Sequence, residues 1–195
     1  LIIAPQPTPA EVLTLEWERF SAVVIGYSVA RPALHMVCPN QYRCMKLAMD
    51  QLLRRTYRRI GLVMLQASDD RVEHNWLAGY LVAQQQLEPA NRLPPLLLER
   101  WDERKFAAWL RRHRPDALVS KCAETLPALR ALGYRLPQDL GAAFLTEVKS
   151  SRETSGVNEA PLEVGAAAVD YLAGMMHRNE RGIPARPRRL LIDGT

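Results

Sequence analysis

Cys122, the pairs Asp69-Asp70 and Asp102-Glu103, and four histidines (His35, His74, His113, His177) are the residues whose types could carry chemistry. Cys122 falls at a strand-to-helix turn, where a thiolate is favoured. No base is paired with it, and a nucleophile needs one. Each acidic pair stands where a helix should begin, and carboxylates there serve the helix end. The histidines contain no HxxxH pair, and Cys38, Cys44 and Cys122 have no CxxC spacing, so no metal site is expected. No glycine-rich dinucleotide motif, phosphate loop or GxSxG elbow follows a strand. The expectation is therefore no catalytic residues, no enzyme and no cofactor. An odd, scattered set of three cysteines points to a reducing compartment, here the cytoplasm.

The elements that would position such residues follow from pattern. The stretch from Val37 to Leu65 reads as strand end, helix, turn and strand. Asn40 is placed as a helix cap, and Tyr42, Met45, Met49, Leu52 and Leu53 recur at helical spacing. Ile60 to Leu65 is an apolar run, as a parallel strand covered on both faces requires. A helix is also expected around Val12 to Phe20, a loop over 27–34, a polar loop over 66–71, and a helix carrying Trp76, Leu77, Tyr80 and Leu81. Further along, Asp102 caps a helix with Phe106 and Trp109, and Gly133 stops the helix marked by Leu126 and Leu129. Residues 149–156 read as a polar crossover. Pro161 opens a helix with Leu162, Val169, Leu172 and Met176 on one face. Strands alternating with helices imply parallel sheets with helices on both faces.

The chain has 195 residues, 48% hydrophobic, with a formal net charge of +5. No apolar run is long enough to span a membrane. A basic balance suits contact with nucleic acid, but the basic groups at 54–59, 111–114 and 186–189 lack interleaved aromatics for stacking on bases, and read rather as a solvated surface with arginines at helix ends.

The segment VCPNQYRCMKLAMDQLL with RRTYRRIGLV resembles the effector-binding core of the lactose-repressor/galactose-repressor (LacI/GalR) family of bacterial transcription regulators. That family reads Val-x-x-Asp-Asn, a helix, then Gly-His-Arg-Arg-Ile-Gly and a strand. Further resemblances follow in order. Trp76-Leu77-Ala78-Gly79-Tyr80 is similar to the family's Arg-Leu-x-Gly-Phe helix. Arg114 to Val119 is similar to the strand before its Asn-Asp pair. Gly133-Tyr134-Arg135-Leu136-Pro137-Gln138-Asp139-Leu140 is similar to Gly-x-x-Val-Pro-x-Asp-Val. Val164 to Val169 and Gly182-Ile183-Pro184 resemble the closing segment.

The resemblance implies two Rossmann-like lobes of the periplasmic-binding-protein kind, one from residues 1–59 with 149–179 and the other from 60–148 with 180–195. It implies a truncated N-terminal lobe and no helix-turn-helix headpiece, so operator DNA would be met through a part missing from this chain. It also implies a small-molecule effector, a sugar or derivative, held between lobes, and a homodimer formed through faces of the helix 40–54 and the helix beginning near Arg71. Effector contacts would come from Asn40, Asp70, Arg71, His74, Trp76, Ser120, Lys121, Cys122, Thr146 and Glu147. The polyol clamp of the family is altered: Asn40 stands for Asp, His74 for Arg, Cys122-Ala123 for Asn-Asp, and Thr146 for Asp. The site should then take a sugar derivative or an anion held by Arg71 and Lys121, with Trp76 and Trp101 as an apolar wall, or take nothing. The alternatives are a transport receptor of the same fold and a ligand-free dimerisation domain.

Overall fold

The computed structural model describes residues 1–6, 11–145 and 155–195. These form two compact units: residues 1–40 with 160–194, and residues 41–159 with Thr195.

The first unit is built on a four-stranded parallel sheet. Its strands are β1 (Ile2–Ile3), β3 (Val23–Ile25), β5 (His35–Pro39) and β11 (Arg189–Ile192), in the order β1-β3-β5-β11. One face is covered by α6 (Pro161–His177), which buries Val164 and Ala168 against Val23 and Val37. The other face packs Val24, Ile3 and Leu34 around the buried Trp17. A small parallel pair, β2 (Glu11–Val12) with β4 (Val29–Arg31), stands beside it.

The second unit holds five parallel strands in the order β10-β9-β8-β6-β7. They are β6 (Ile60–Leu65), β7 (Leu96–Leu98), β8 (Ala117–Ser120), β9 (Gly141–Phe144) and β10 (Ser155–Gly156). The central strands are apolar without alternation because both faces are covered. One face carries α1 (Gln41–Arg54) and α3 (Asn75–Gln85), with Met45, Met49, Trp76 and Tyr80 fully buried. The other carries α4 (Glu103–His113) and α5 (Thr125–Ala131), with Phe106, Leu110 and Leu129. The helices α1 and α3 meet at Gly79, where a Cβ would stand 2.9 Å from Met45 Cβ and from the Tyr42 carbonyl oxygen. Two of the buried polar side chains of this unit, Gln84 and Tyr80, are matched to backbone groups. Gln84 donates to the Ile60 carbonyl (2.9 Å) and accepts from the Leu93 N–H (2.8 Å), while the Tyr80 hydroxyl reaches the Leu93 carbonyl at 2.8 Å.

Several expectations change. Residues 12–20 form no α-helix, only a 3-10 turn at Trp17–Arg19 after β2. Val12, Leu15 and Phe20 remain exposed, so no continuous apolar face exists there to drive a helix. Within 27–34, residues 29–31 are a strand, because β2 supplies a partner. Within 66–71, Gln66–Asp70 forms the short helix α2 directly after β6. On α6 the expected stripe is largely outward: Leu162, Val169 and Met176 are exposed, and Val164, Ala168 and Met175 are buried. The units also divide differently from the expected lobes. Residues 41–59 join the second unit, where α1 packs on α3, β8 and β9, and residues 180–194 join the first, where β11 pairs with β5. Of the expected crossover, residues 149–154 lie outside the described residues and 155–156 form β10.

Candidate functional site

In the second unit, the C-terminal ends of the neighbouring strands β6 and β8 bring together α2, the start of α3, and Lys121-Cys122. Ligands of open α/β sheets bind at such ends. The geometry begins with Asp69, which is buried. Its Oδ1 accepts the Leu77 N–H at 3.0 Å, satisfying one open donor of the first turn of α3, and its Oδ2 lies 3.2 Å from His74 Nδ1. The capping role expected of the acidic pair thus falls to Asp69. Asp70 and His74 stay largely exposed, with Asp70 Oδ1 3.5 Å from His74 Nδ1. His74 takes a left-handed conformation (φ 59°), which turns the chain from α2 into α3. Arg71 follows α2 directly, and its N–H donates to the Ala67 carbonyl. Asp70 and His74 are therefore exposed polar groups at this end of the sheet, lying against each other and, through His74, against Asp69.

Lys121 is committed elsewhere. Its ammonium donates to Glu159 Oε1 at 2.8 Å and to the Leu145 carbonyl at 3.2 Å, and it stands 4.9 Å from the centre of the Trp76 ring. Trp76 is fully buried beneath it, and its indole N–H has no partner among the described residues. Trp101 packs with Phe106 at 5.1 Å between ring centres, on the opposite face of the sheet. The two tryptophans accordingly share no wall.

Ser120 and Cys122 are internal. The Ser120 and Thr125 hydroxyls are 2.7 Å apart, and Ser120 Oγ accepts the Cys122 N–H at 3.1 Å. Burial pushes the Cys122 thiol above its usual pKa, which opposes a thiolate. These two residues fix the β8–α5 turn and offer a ligand little surface.

Asn40 belongs to the first unit, at the C-terminal ends of β5 and β11. Its N–H donates to the Ile192 carbonyl (2.8 Å) and its side-chain amide to Asp193 Oδ1 (2.9 Å). Thr146 and Glu147 lie outside the described residues. Sequence reasoning missed Asp193, Glu159, Asp69 and Thr125 as partners of the named groups. The lone acid after the apolar run at 190–192 was a readable sign for Asp193. Nothing local marks Glu159, which meets Lys121 only through the fold. Among the described residues, no three His, Cys, Asp or Glu side chains gather as a metal site, and no helix is long and apolar enough to cross a membrane.

Comparison with solved structures gives the same architecture. The chain resembles a transcriptional regulator CelR–cellobiose complex (16% identity, TM-score 0.63, covering 89% of this chain and 56% of that one). It also resembles a LacI-family regulator from Enterococcus faecium with bound ribose (13% identity, TM-score 0.63, 89% and 67%) and a LacI regulator from Lactobacillus brevis (12% identity, TM-score 0.67, 91% and 70%). At these identities the likeness is one of fold, and the chain spans little more than half the length of the first. No curated protein sequence matches it. Residues 49–194 match the profile of the periplasmic binding protein-like domain, and with that stretch covering most of its length, the chain belongs to the periplasmic-binding-protein-like domain family.

Proposed function

We propose that this chain is the effector-binding and dimerisation domain of a LacI-type transcriptional regulator of the cytoplasm, without enzymatic activity. In this reading it couples a small molecule to operator affinity through a separate DNA-binding headpiece. The supporting observation is the fold shared with LacI-family regulators, two of them carrying sugars, joined to exposed polar groups at strand C-terminal ends.

The effector is a sugar derivative rather than a neutral hexose. Asp70 and His74 supply an exposed acceptor and donor, and Arg71 beside them adds a cation. Lys121 is spent on Glu159 and Asn40 is bonded to Asp193, so less of a hydroxyl clamp is free. A thermal-shift screen of sugars and sugar phosphates, followed by calorimetry, tests this, since a saturating ligand raises stability by mass action. A derivative should stabilise the chain, and the Asp70→Asn and His74→Ala variants should lose that shift. Micromolar binding of an unmodified hexose, abolished by Asn40→Ala, would refute the altered clamp. No shift with any compound, in a protein that still dimerises, would support a ligand-free dimerisation domain. That second reading draws on the occupied state of Lys121 and Asn40 and on the burial of Trp76 and Ser120.

A further inference from the structure

The net charge of the chain resides in one unit. Residues 41–159 contain nineteen Arg and Lys against fourteen Asp and Glu, while residues 1–40 with 160–194 contain seven against seven. Within the charged unit, much of the basic excess collects at one pole. In a parallel α/β layer the helices end where the strands begin. Arg54 and Arg55 at the end of α1, Arg58 in the turn to β6, Arg111 and Arg112 at the end of α4, and Arg114 before β8 therefore share that pole. The two turns are adjacent, since β6 and β8 are hydrogen-bonded neighbours with Ile60 opposite Ala117.

Contacts between the turns hold the groups in place. Both oxygens of Asp116 accept backbone N–H groups, from Arg58 at 2.7 Å and Arg59 at 2.9 Å. The Arg59 guanidinium donates to the carbonyls of His113 (2.6 Å), Arg114 (3.3 Å) and Ala90. The exit of α4 is thus already capped, and the carboxylate between the groups is already engaged. The side chains of Arg54, Arg55, Arg111, Arg112 and Arg114 are exposed and make no hydrogen bond or ion pair with a described residue. A helix end carries only about half a negative charge, so two helix ends do not account for five such guanidinium groups.

The chemistry of the patch selects its partner. No large hydrophobic side chain is exposed within 54–59 or 111–114. A protein interface is organised around apolar or aromatic anchors, whereas phosphate contacts need only charge and forked donors, which arginine supplies. With no aromatic to stack on bases, a duplex backbone fits better than a single strand. We infer that this pole is a sequence-independent contact for the phosphates of duplex DNA. It is made by the second unit itself and does not depend on a headpiece or an effector.

The test is fluorescence anisotropy of a labelled mixed-sequence duplex of about 20 base pairs, titrated with this chain from about 50 to 200 mM salt. Binding should weaken steeply with salt, with a slope of roughly −0.9 per phosphate contact in log K against log salt. Replacing Arg54, Arg55, Arg111 and Arg112 by Gln should weaken binding at least tenfold and flatten that slope, while Arg186→Gln with Arg188→Gln should change neither. The paired changes at 54/55 and 111/112 are also read separately, so a folding defect in one leaves the other informative. No binding at about 50 mM salt, or an unchanged affinity in the well-folded variants, overturns the inference. Equal affinity for a polyglutamate chain of the same charge overturns it in favour of an acidic protein partner.

Discussion

Lys121 reaches across 38 residues of sequence to Glu159, with its ammonium 2.8 Å from the carboxylate and both side chains less than a quarter exposed. A partly buried pair of this kind is costly to break from one side, because the remaining charge keeps its desolvation penalty. Lys121→Gln should destabilise the second unit by about 1–3 kcal/mol. Lys121→Gln with Glu159→Gln should cost less than the sum of the single changes. Urea unfolding of the four proteins measures the coupling, and full additivity would show that the pair contributes nothing.

The crossing of α1 and α3 makes a second demand. Gly79 leaves no room for a methyl group between Met45 Cβ and the Tyr42 carbonyl. Gly79→Ala should destabilise the fold by about 1–3 kcal/mol, the usual cost of overpacking, against the gain in helix propensity that alanine brings at an open site. A raised urea midpoint would contradict the close approach.

Stability should fall with acid below neutral pH. His35 is held below its usual pKa mainly by burial and then by Arg188, and its Nδ1 accepts the Arg188 N–H at 3.0 Å beside β11. His113 is lowered too, by burial and then by Arg112 and Arg59. A lowered folded pKa means that the unfolded chain takes up the proton first. The contribution is therefore complete above about 6.5, the free histidine value, and is lost as the pH falls from there through the folded pKa. Urea midpoints at neutral pH and at mildly acidic pH should differ. His35→Asn, which keeps an acceptor in place, should reduce that difference, and an unchanged difference would remove His35 from the account.

Self-association should run through the outer side of α3. Its inner residues Trp76 and Tyr80 are core, whereas Leu81 and Val82 are exposed. Sedimentation equilibrium should show a dimer, with a two-fold interface of like surfaces, and Leu81→Lys with Val82→Lys should shift it to monomer. A monomer at micromolar concentration in the parent chain would defeat the assignment.

The parts of the fold set by unambiguous patterns were legible. Ile60 to Leu65 reads as a strand covered on both faces and is one, Asp102 does cap α4 through the Lys105 N–H, and Gly133 does take a left-handed turn. α6 was legible as a helix but not in its orientation. It carries two apolar rows, Val164-Ala168-Met175 and Leu162-Val169-Met176, and periodicity does not say which one meets a sheet. The candidate site was harder still. Residue type announced Lys121 as a cation, but its carboxylate partner lies in a distant segment and cancels it. Trp76 was expected at a ligand wall, yet the crossing of α1 and α3 places it wholly in the core.

The stacking of the Lys121 ammonium over Trp76 also makes the protein its own optical reporter. An indole in a dry core that feels one nearby positive charge emits at a wavelength set by that field. Any event that draws Lys121 away from the ring, whether an effector or loss of Glu159, should therefore shift the emission of Trp76. Trp17, Trp101 and Trp109 emit as well, so the shift is read as the difference from a Trp76→Phe variant.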